Sequence, residues 1–452
     1  MSINNNKKQY AKLRKEFPFF EYQSYSFNLN NDNIEAEFCF NLADKYIFKP
    51  TLKIPIRSFY NINKLNKSEL NNYIFHIGMV ELVSYWKVAC APKVIIKPHK
   101  LDEKQISWWK KLYFHGLGEF FYLNSINTNE ELFMTIYSHG ESVNTSTINL
   151  DNNKVIVPIG GGKDSVVTLE LLNRSNVPII PMMVNPREAS IRTIETAGFH
   201  KNDSIVINRT IDTTLLKLNK LGFLNGHTPF SALLAFTSAL SSAITGVANI
   251  ALSNESSANE STVPGSKINH QYSKSYEFES DFAWYLKRYI HQDMKYFSFL
   301  RPVNELQIAS LFAKFPQHFK GFRSCNVGSK TDEWCGNCSK CLFTYIILSP
   351  FIAHNNLINI FGKDMLNQGK LVHIFNELTG ISDVKPFECV GTPNEVNAAL
   401  GNYIEQHNKA ILIDNFELDN NNQNFKALIS EYNSEHLVPN KFEIILKKAL
   451  DD

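Results

Sequence analysis

The chain has 452 residues, 44% of them hydrophobic and 20% charged, with 46 Lys and Arg against 44 Asp and Glu and a net charge of +2. Such a length holds about three domains of roughly 150 residues with ordinary buried cores. The near-even charge balance gives no ground for a nucleic acid or an acidic membrane surface as partner, and neither is expected.

Residues 1–16 are polar and charged with no apolar stretch, so no signal peptide is expected. Seven cysteines are present, four of them between 325 and 341, with Cys39, Cys90 and Cys389 scattered. That is not a secreted disulfide framework, and a reducing, cytoplasmic location is expected. Residues 1–145 read as an α+β domain. Alternating, aromatic-rich strands are predicted near 24–28, 34–40 and 47–56, then a helix over 74–88 and a strand after Pro92. Trp108 and Trp109 lie in a helical stretch leading to HGLGEFFYLN. Glu81 and Glu119 are read as ordinary exposed glutamates, with a substrate cleft as the alternative. The polar run 139–153 marks the domain boundary.

The stretch 155–173, VIVPIGGGKDSVVTLELLN, follows. Its β-branched start predicts a buried parallel strand over 155–159. The apolar spacing after Val166 predicts a helix, with Asp164 or Ser165 as N-cap. Gly160, Gly161 and Gly162 lie between. Glycine permits a sharp turn and close approach to a ligand, and N–H groups of such a turn with a helix N-terminus attract phosphate. Lys163 adds a charge. The wording is neither GxxxxGK[ST] nor GxGxxG.

Strands and helices then alternate: strand 179–184, helix 188–197, strand 204–207, helix 213–221, a long apolar helix from about 228, and strand 248–253. This pattern predicts a doubly wound parallel α/β sheet, with ligands beyond the carboxyl ends of its strands. Asn185, in MVNPRE, is a candidate for the adenine or ribose region, with a plain turn residue as the alternative. Residues 230–252 carry no charge and are long enough to span a bilayer, but their Ser, Thr, Gly and Asn residues favour a buried helix followed by a strand. Residues 351–452 read as a helical region, with an Asn-rich loop at 414–425.

Residues 324–341, SCNVGSKTDEWCGNCSKC, space Cys325, Cys335, Cys338 and Cys341 as C-x9-C-x2-C-x2-C. Four soft thiolates match tetrahedral Zn²⁺, and a structural zinc site is expected. An iron–sulfur cluster or chemically active thiols are the alternatives.

The glycine loop resembles the SGGxDS loop of the PP-loop ATP pyrophosphatases, with Gly160 where serine is usual. GGGKDSVVTLELL, NGHTPFSALLAF, SNESSANE, INHQYSKSYEFE, LRPVNELQIASLF, SCN with WCGNCSKCLF, and PFECVGT, in that order, resemble the bacterial UDP-N-acetylmuramoyl-L-alanyl-L-glutamate epimerases. HIGMVELVSYWKVACAP and GLGEFFYLN extend the likeness, which runs from about residue 70 to about 400. The resemblance implies a PP-loop domain over 154–350. It implies conversion of the terminal L-Glu of a UDP-muramoyl dipeptide to D-Glu, with ATP consumed to AMP and diphosphate and Mg²⁺ required. An acyl-adenylate fits this chemistry, because adenylation removes the carboxylate charge that opposes loss of the α-proton. Residues 160–165 are then expected to hold the triphosphate, with Asp164 as a Mg²⁺ ligand. His227 and His270, in resembling motifs, are the candidate proton carriers; Glu255, Glu260 and Cys325 are the alternatives. Asn254, Lys274 and Arg301 are candidate substrate contacts, and the N-terminal domain is the expected place for UDP. The cysteine cluster also resembles the zinc site of 7-cyano-7-deazaguanine synthases, so a PP-loop synthetase acting on a nucleobase or tRNA is a competing reading. A non-catalytic ATP sensor is another.

Overall fold

The structure, a computed structural model, describes residues 4–62, 65–406, 410–414, 416 and 425–451. In chain order, α1 (Lys7–Glu16) precedes β1 (Phe19–Leu29), β2 (Asn33–Leu42), β3 (Tyr46–Phe48) and β4 (Thr51–Pro55). Next come α2 (Lys67–Trp86), β5 (Lys93–Ile96), α3 (Glu103–Gly116), α4 (Gly118–Leu123), β6 (Thr135–Ser138) and β7 (Asp151–Pro158). Then follow α5 (Lys163–Arg174), β8 (Ile179–Val184), α6 (Glu188–Thr196), β9 (Ile205–Thr210), α7 (Thr213–Lys220), α8 (Phe230–Thr245) and β10 (Val247–Leu252). The remainder is α9 (Tyr276–Tyr289), β11 (Lys295–Ser298), α10 (Glu305–Ala313), α11 (Ser339–Leu348), α12 (His354–Phe361), α13 (Val372–Thr379), α14 (Pro393–Gln406), α15 (Phe425–Ser430) and α16 (Asn440–Asp451). Most of the Asn-rich loop expected at 414–425 lies outside the described residues.

The fold is α/β, and the chain forms two compact units, each drawn from three stretches. The first is Met1–Ile156, Ile205–Ile250 and Lys267–Tyr296; the second is Val157–Ser204, Ala251–Ser266 and Phe297–Asp452.

In the first unit the strand order is β6-β5-β1-β2-β4-β9, with β3 on β2. The pairs β1/β2, β2/β3, β2/β4 and β4/β9 are antiparallel, while β1/β5 and β5/β6 are parallel. Alternation explains β2, whose odd and even positions divide into buried and half-buried through most of its length. The strand expected over 47–56 is broken into β3 and β4 around Pro50, which has no N–H for a ladder. The capping box of Asn66 and Glu69 starts α2, and nearly every residue after Leu70 is buried, so this helix is enclosed on all sides. Within the same unit β7 and β10 pair in parallel, with Asn249 opposite Val155 and Ile250 opposite Ile156.

The uncharged run after residue 230 is a buried helix and a buried strand, as expected. α8 has 16 residues, about 24 Å at the helical rise, which is less than a bilayer core. Thr237, Ser241 and Thr245 donate their hydroxyls to the carbonyls of Leu233, Thr237 and Ser241 at 2.9, 2.9 and 2.7 Å, so these three hydroxyls are satisfied within the helix. Gly246, left-handed at φ +70°, ends it, and β10 is buried at all six positions. Among the described residues no helix is long and apolar enough to cross a membrane.

In the second unit the glycine loop follows the end of β7 and opens α5. The Ile159 N–H donates to the Met182 carbonyl in β8 at 2.8 Å. α10 to α16 make the rest of this unit largely helical.

Candidate functional site

Three clusters, one in the first unit and two in the second, gather most of the residues singled out from the sequence. In the second unit the strand, glycine turn and helix form as expected, but the N-cap differs. Gly162 caps α5, and Asp164 and Ser165 lie inside its first turn; no side chain caps it. Ser165 turns back instead, accepting from the Gly161 N–H at 3.3 Å and donating to the Gly162 carbonyl at 3.0 Å. Gly161 sits at φ +87°, and a Cβ there would lie 2.7 Å from the Ala189 carbonyl carbon and the Ser190 nitrogen. Only glycine satisfies both constraints. At Gly160, by contrast, a Cβ would meet nothing within 4 Å among the described residues. The space above the loop is therefore at Gly160.

Lys163 is buried and held in ion pairs. Its ammonium is 5% exposed, 2.5 Å from the Asp164 carboxylate and hydrogen-bonded to Glu305. Burial works against its charge, but Asp164 and Glu305 outweigh it and raise its pKa above that of an ordinary lysine. A second cation at the loop is Arg187, whose guanidinium donates to the Gly160 carbonyl at 3.3 Å. Asp164 stays one-third exposed. Asn185 is exposed at φ +46°, a conformation Asn tolerates in turns.

In the first unit His227 and His270 come together. Their ring centroids are 4.4 Å apart, and both face Glu119. Glu119 Oε2 lies 2.5 Å from His270 Nδ1 and 3.7 Å from His227 Nδ1. A carboxylate accepts, so His270 donates through Nδ1 and its Nε2 is the basic nitrogen. Burial, then His270, Lys87 and Lys274, push His227 down to about 3, which leaves it neutral at pH 7. The three residues put ligand atoms within 4.8 Å of one another. The neighbouring ammonium of Lys87 opposes a metal there.

Two expectations of exposure are corrected. Glu119 is 3% exposed and belongs to the imidazole cluster. Glu81 is 2% exposed and pairs through both oxygens with Arg209, 2.7 Å for one of them, as α2 brings it against β9. Arg301 is likewise buried, with no exposure, hydrogen-bonded to the Glu255 carbonyl and 3.4 Å from Ser298 Oγ. Asn254 donates to Ser298 Oγ at 3.0 Å. Glu255 is buried, while Glu260 is 40% exposed and paired with Lys385.

The four cysteines converge. Cys325 and Cys338 sulfurs are 3.7 Å apart, Cys335 and Cys341 3.7 Å, and Cys338 and Cys341 3.5 Å. A disulfide needs about 2.05 Å, whereas tetrahedral thiolates at 2.3 Å from Zn²⁺ are about 3.8 Å apart. Backbone N–H groups of Gly328 and Asn337 donate to the sulfurs of Cys325 and Cys335 at 3.2 and 3.4 Å. The donor set fits a closed four-thiolate site.

A family model described as the MurL N-terminal domain matches residues 11–299, and one described as the MurL C-terminal domain matches residues 321–427. The chain belongs to the MurL family. Three curated relatives are each named UDP-N-acetyl-alpha-D-muramoyl-L-alanyl-L-glutamate epimerase. The protein from Xanthomonas oryzae pv. oryzae is 32% identical over 332 residues, 72% of this chain and 72% of its own. That from Salinispora tropica is 31% identical over 395 residues, covering 86% and 85%. That from a Micromonospora species is 32% identical over 336 residues, covering 73% and 74%. No solved structure matches.

The MurL N-terminal match contains the glycine loop, Glu119, His227 and His270; the MurL C-terminal match contains all four clustered cysteines. In this MurL chain the sequence reading missed three residues: Glu119 as the partner of the imidazoles, Arg187 beside Gly160, and Lys87. The only local signal for Glu119 was its place in GLGEFFYLN. Which residues meet it was not legible, because its partners lie more than a hundred positions away.

Proposed function

We propose that this protein epimerises the terminal L-Glu of UDP-N-acetylmuramoyl-L-Ala-L-Glu to D-Glu in peptidoglycan precursor synthesis, with ATP cleaved to AMP and diphosphate. The observation that carries the reading is the pair of imidazoles on one buried carboxylate, in a chain whose curated relatives are named for this epimerisation. Inverting a carbon centre requires one proton to be removed and one returned. The two rings supply an acceptor and a donor, each positioned group contributing about 10²–10⁴-fold; because the rings touch, the planar deprotonated intermediate has to turn its opposite face to the donor before the proton returns.

The roles divide as follows. His270 Nε2 takes the α-proton, and Glu119 balances the imidazolium that forms. His227 is the second ring, through which a proton returns. The glycine turn and the α5 N-terminus hold the triphosphate, with Arg187 as its cation. Activation of the α-carboxyl as an acyl-adenylate removes the charge that opposes proton loss. Asp164, one-third exposed, would hold Mg²⁺, which would neutralise phosphate charge when bound. Cys325, Cys335, Cys338 and Cys341 hold a structural Zn²⁺ when loaded.

The deciding test is diphosphate release from ATP and Mg²⁺ with the L-Ala-L-Glu substrate, followed by hydrolysis of the product and chiral analysis of its glutamate. Diphosphate together with D-Glu is expected. Diphosphate without inversion would indicate a synthetase, and no diphosphate from either the L-Glu or the D-Glu form would sink the epimerase.

A further inference from the structure

Lys87 follows the last residue of α2 and is 6% exposed. Its ammonium donates to the carbonyl of Gly226, the residue before His227. Among the described residues no carboxylate lies within 4.0 Å of its Nζ. A buried lysine is normally paired, and an ammonium has three donors to satisfy. Here one neutral carbonyl is the partner. Glu119, whose charge acts on Lys87, is committed to the imidazoles, and Glu81 of α2 is committed to Arg209.

The charge is felt by the cluster. Burial and Arg209 push Lys87 down to about 8, against the pull of Cys90 and Glu119, and Lys87 in turn helps depress His227. A buried ammonium without an anion, beside two imidazoles, is a site awaiting an anionic oxygen.

We propose that Lys87 binds the side-chain carboxylate of the substrate's terminal glutamate and so selects that residue. This rests on the epimerase reading, in which the carboxyl next to the inverted carbon is activated and the side-chain carboxylate alone keeps its charge. Binding also has a consequence for the proton carriers. A carboxylate on Lys87 cancels part of the field that disfavours protonated His227, so the ring accepts a proton more readily when substrate is present.

The test compares the L-Glu substrate with its L-Gln-terminated analogue, in wild type and in Lys87→Met. Wild type is expected to favour the Glu form by about 10²-fold or more in kcat/KM, and Lys87→Met to lower that preference at least about tenfold, chiefly through the Glu form. Parallel loss on both forms would overturn the proposal, since a merely structural lysine affects both alike. Should Lys87→Met not fold, Lys87→Arg takes its place: a retained preference for Glu supports the proposal and a lost one overturns it. A wild type that turns over neither form would instead defeat the epimerase reading. Calorimetric titration with glutarate then decides the anion site alone. Binding that is at least about tenfold tighter in wild type than in the Lys87 variant supports it, and equal binding overturns it.

Discussion

His76 and His270 are both largely buried histidines of the first unit, and their surroundings give them different work. His76 Nδ1 donates to the Asn72 carbonyl at 2.8 Å, and its Nε2 accepts from the Tyr285 hydroxyl at 2.9 Å. That hydroxyl in turn accepts from Gln105 at 3.1 Å and Trp109 at 3.0 Å, so both ring nitrogens of His76 are engaged inside the core. His270 faces the Glu119 carboxylate instead, and this is the contact on which its proposed part in proton transfer rests. Replacing Glu119 by Gln keeps the shape and removes the charge. The expected result is a loss of about 10²-fold or more in kcat for inversion with little change in the KM for ATP, read from D-Glu formation. A Glu119→Gln enzyme with normal kcat would remove Glu119 from the proton pathway.

The glycine turn shows how an element restricts its own sequence. Gly161 is held by a positive φ and by α6 backbone at 2.7 Å; Gly160 is held by neither. Gly161→Ala is therefore expected to destabilise the chain by about 1–3 kcal/mol and weaken ATP binding, while Gly160→Ser leaves melting temperature and activity near wild type. Equal effects of the two substitutions would contradict this geometry. The cysteine turn is a second such element. Gly336 is left-handed at φ +62°, and Cys338 is the N-cap of α11. One zinc per chain is expected by elemental analysis, with loss of the metal in Cys338→Ser. Iron and sulfide in its place would show an iron–sulfur centre.

At the scale of the whole molecule, acid stability follows from the buried core histidine. Burial pushes His76 from 6.5 down to about 4, partly offset by its bond to Asn72. The unfolded chain therefore binds this proton more readily than the native one. The contribution to stability is fully present above pH 6.5 and is lost as pH falls towards 4, about 3 kcal/mol in all. Urea midpoints at pH 7.5 and 4.5 should fall more steeply in wild type than in His76→Gln. Equal slopes would assign the acid sensitivity to other groups.

Local patterns settled much of this protein before any tertiary contact was known. β8 falls on the predicted residues, α6, α7 and β10 lie within a residue or two, and the glycine turn and four-cysteine spacing were legible because their chemistry depends on neighbours in the chain. Motif order along the sequence also gave the family likeness that the comparisons bear out. What required the tertiary structure were the long-range partners. β9 pairs antiparallel with β4, some 150 positions earlier, because sheet register depends on strands the local pattern cannot name. Lys163 turns to Glu305, Arg301 is buried, and Glu119 and Lys87 stand at the imidazoles, because a charged side chain takes its role from what folding brings beside it. Sequence spacing carries residue type and period; burial and charge pairing exist only once distant segments pack.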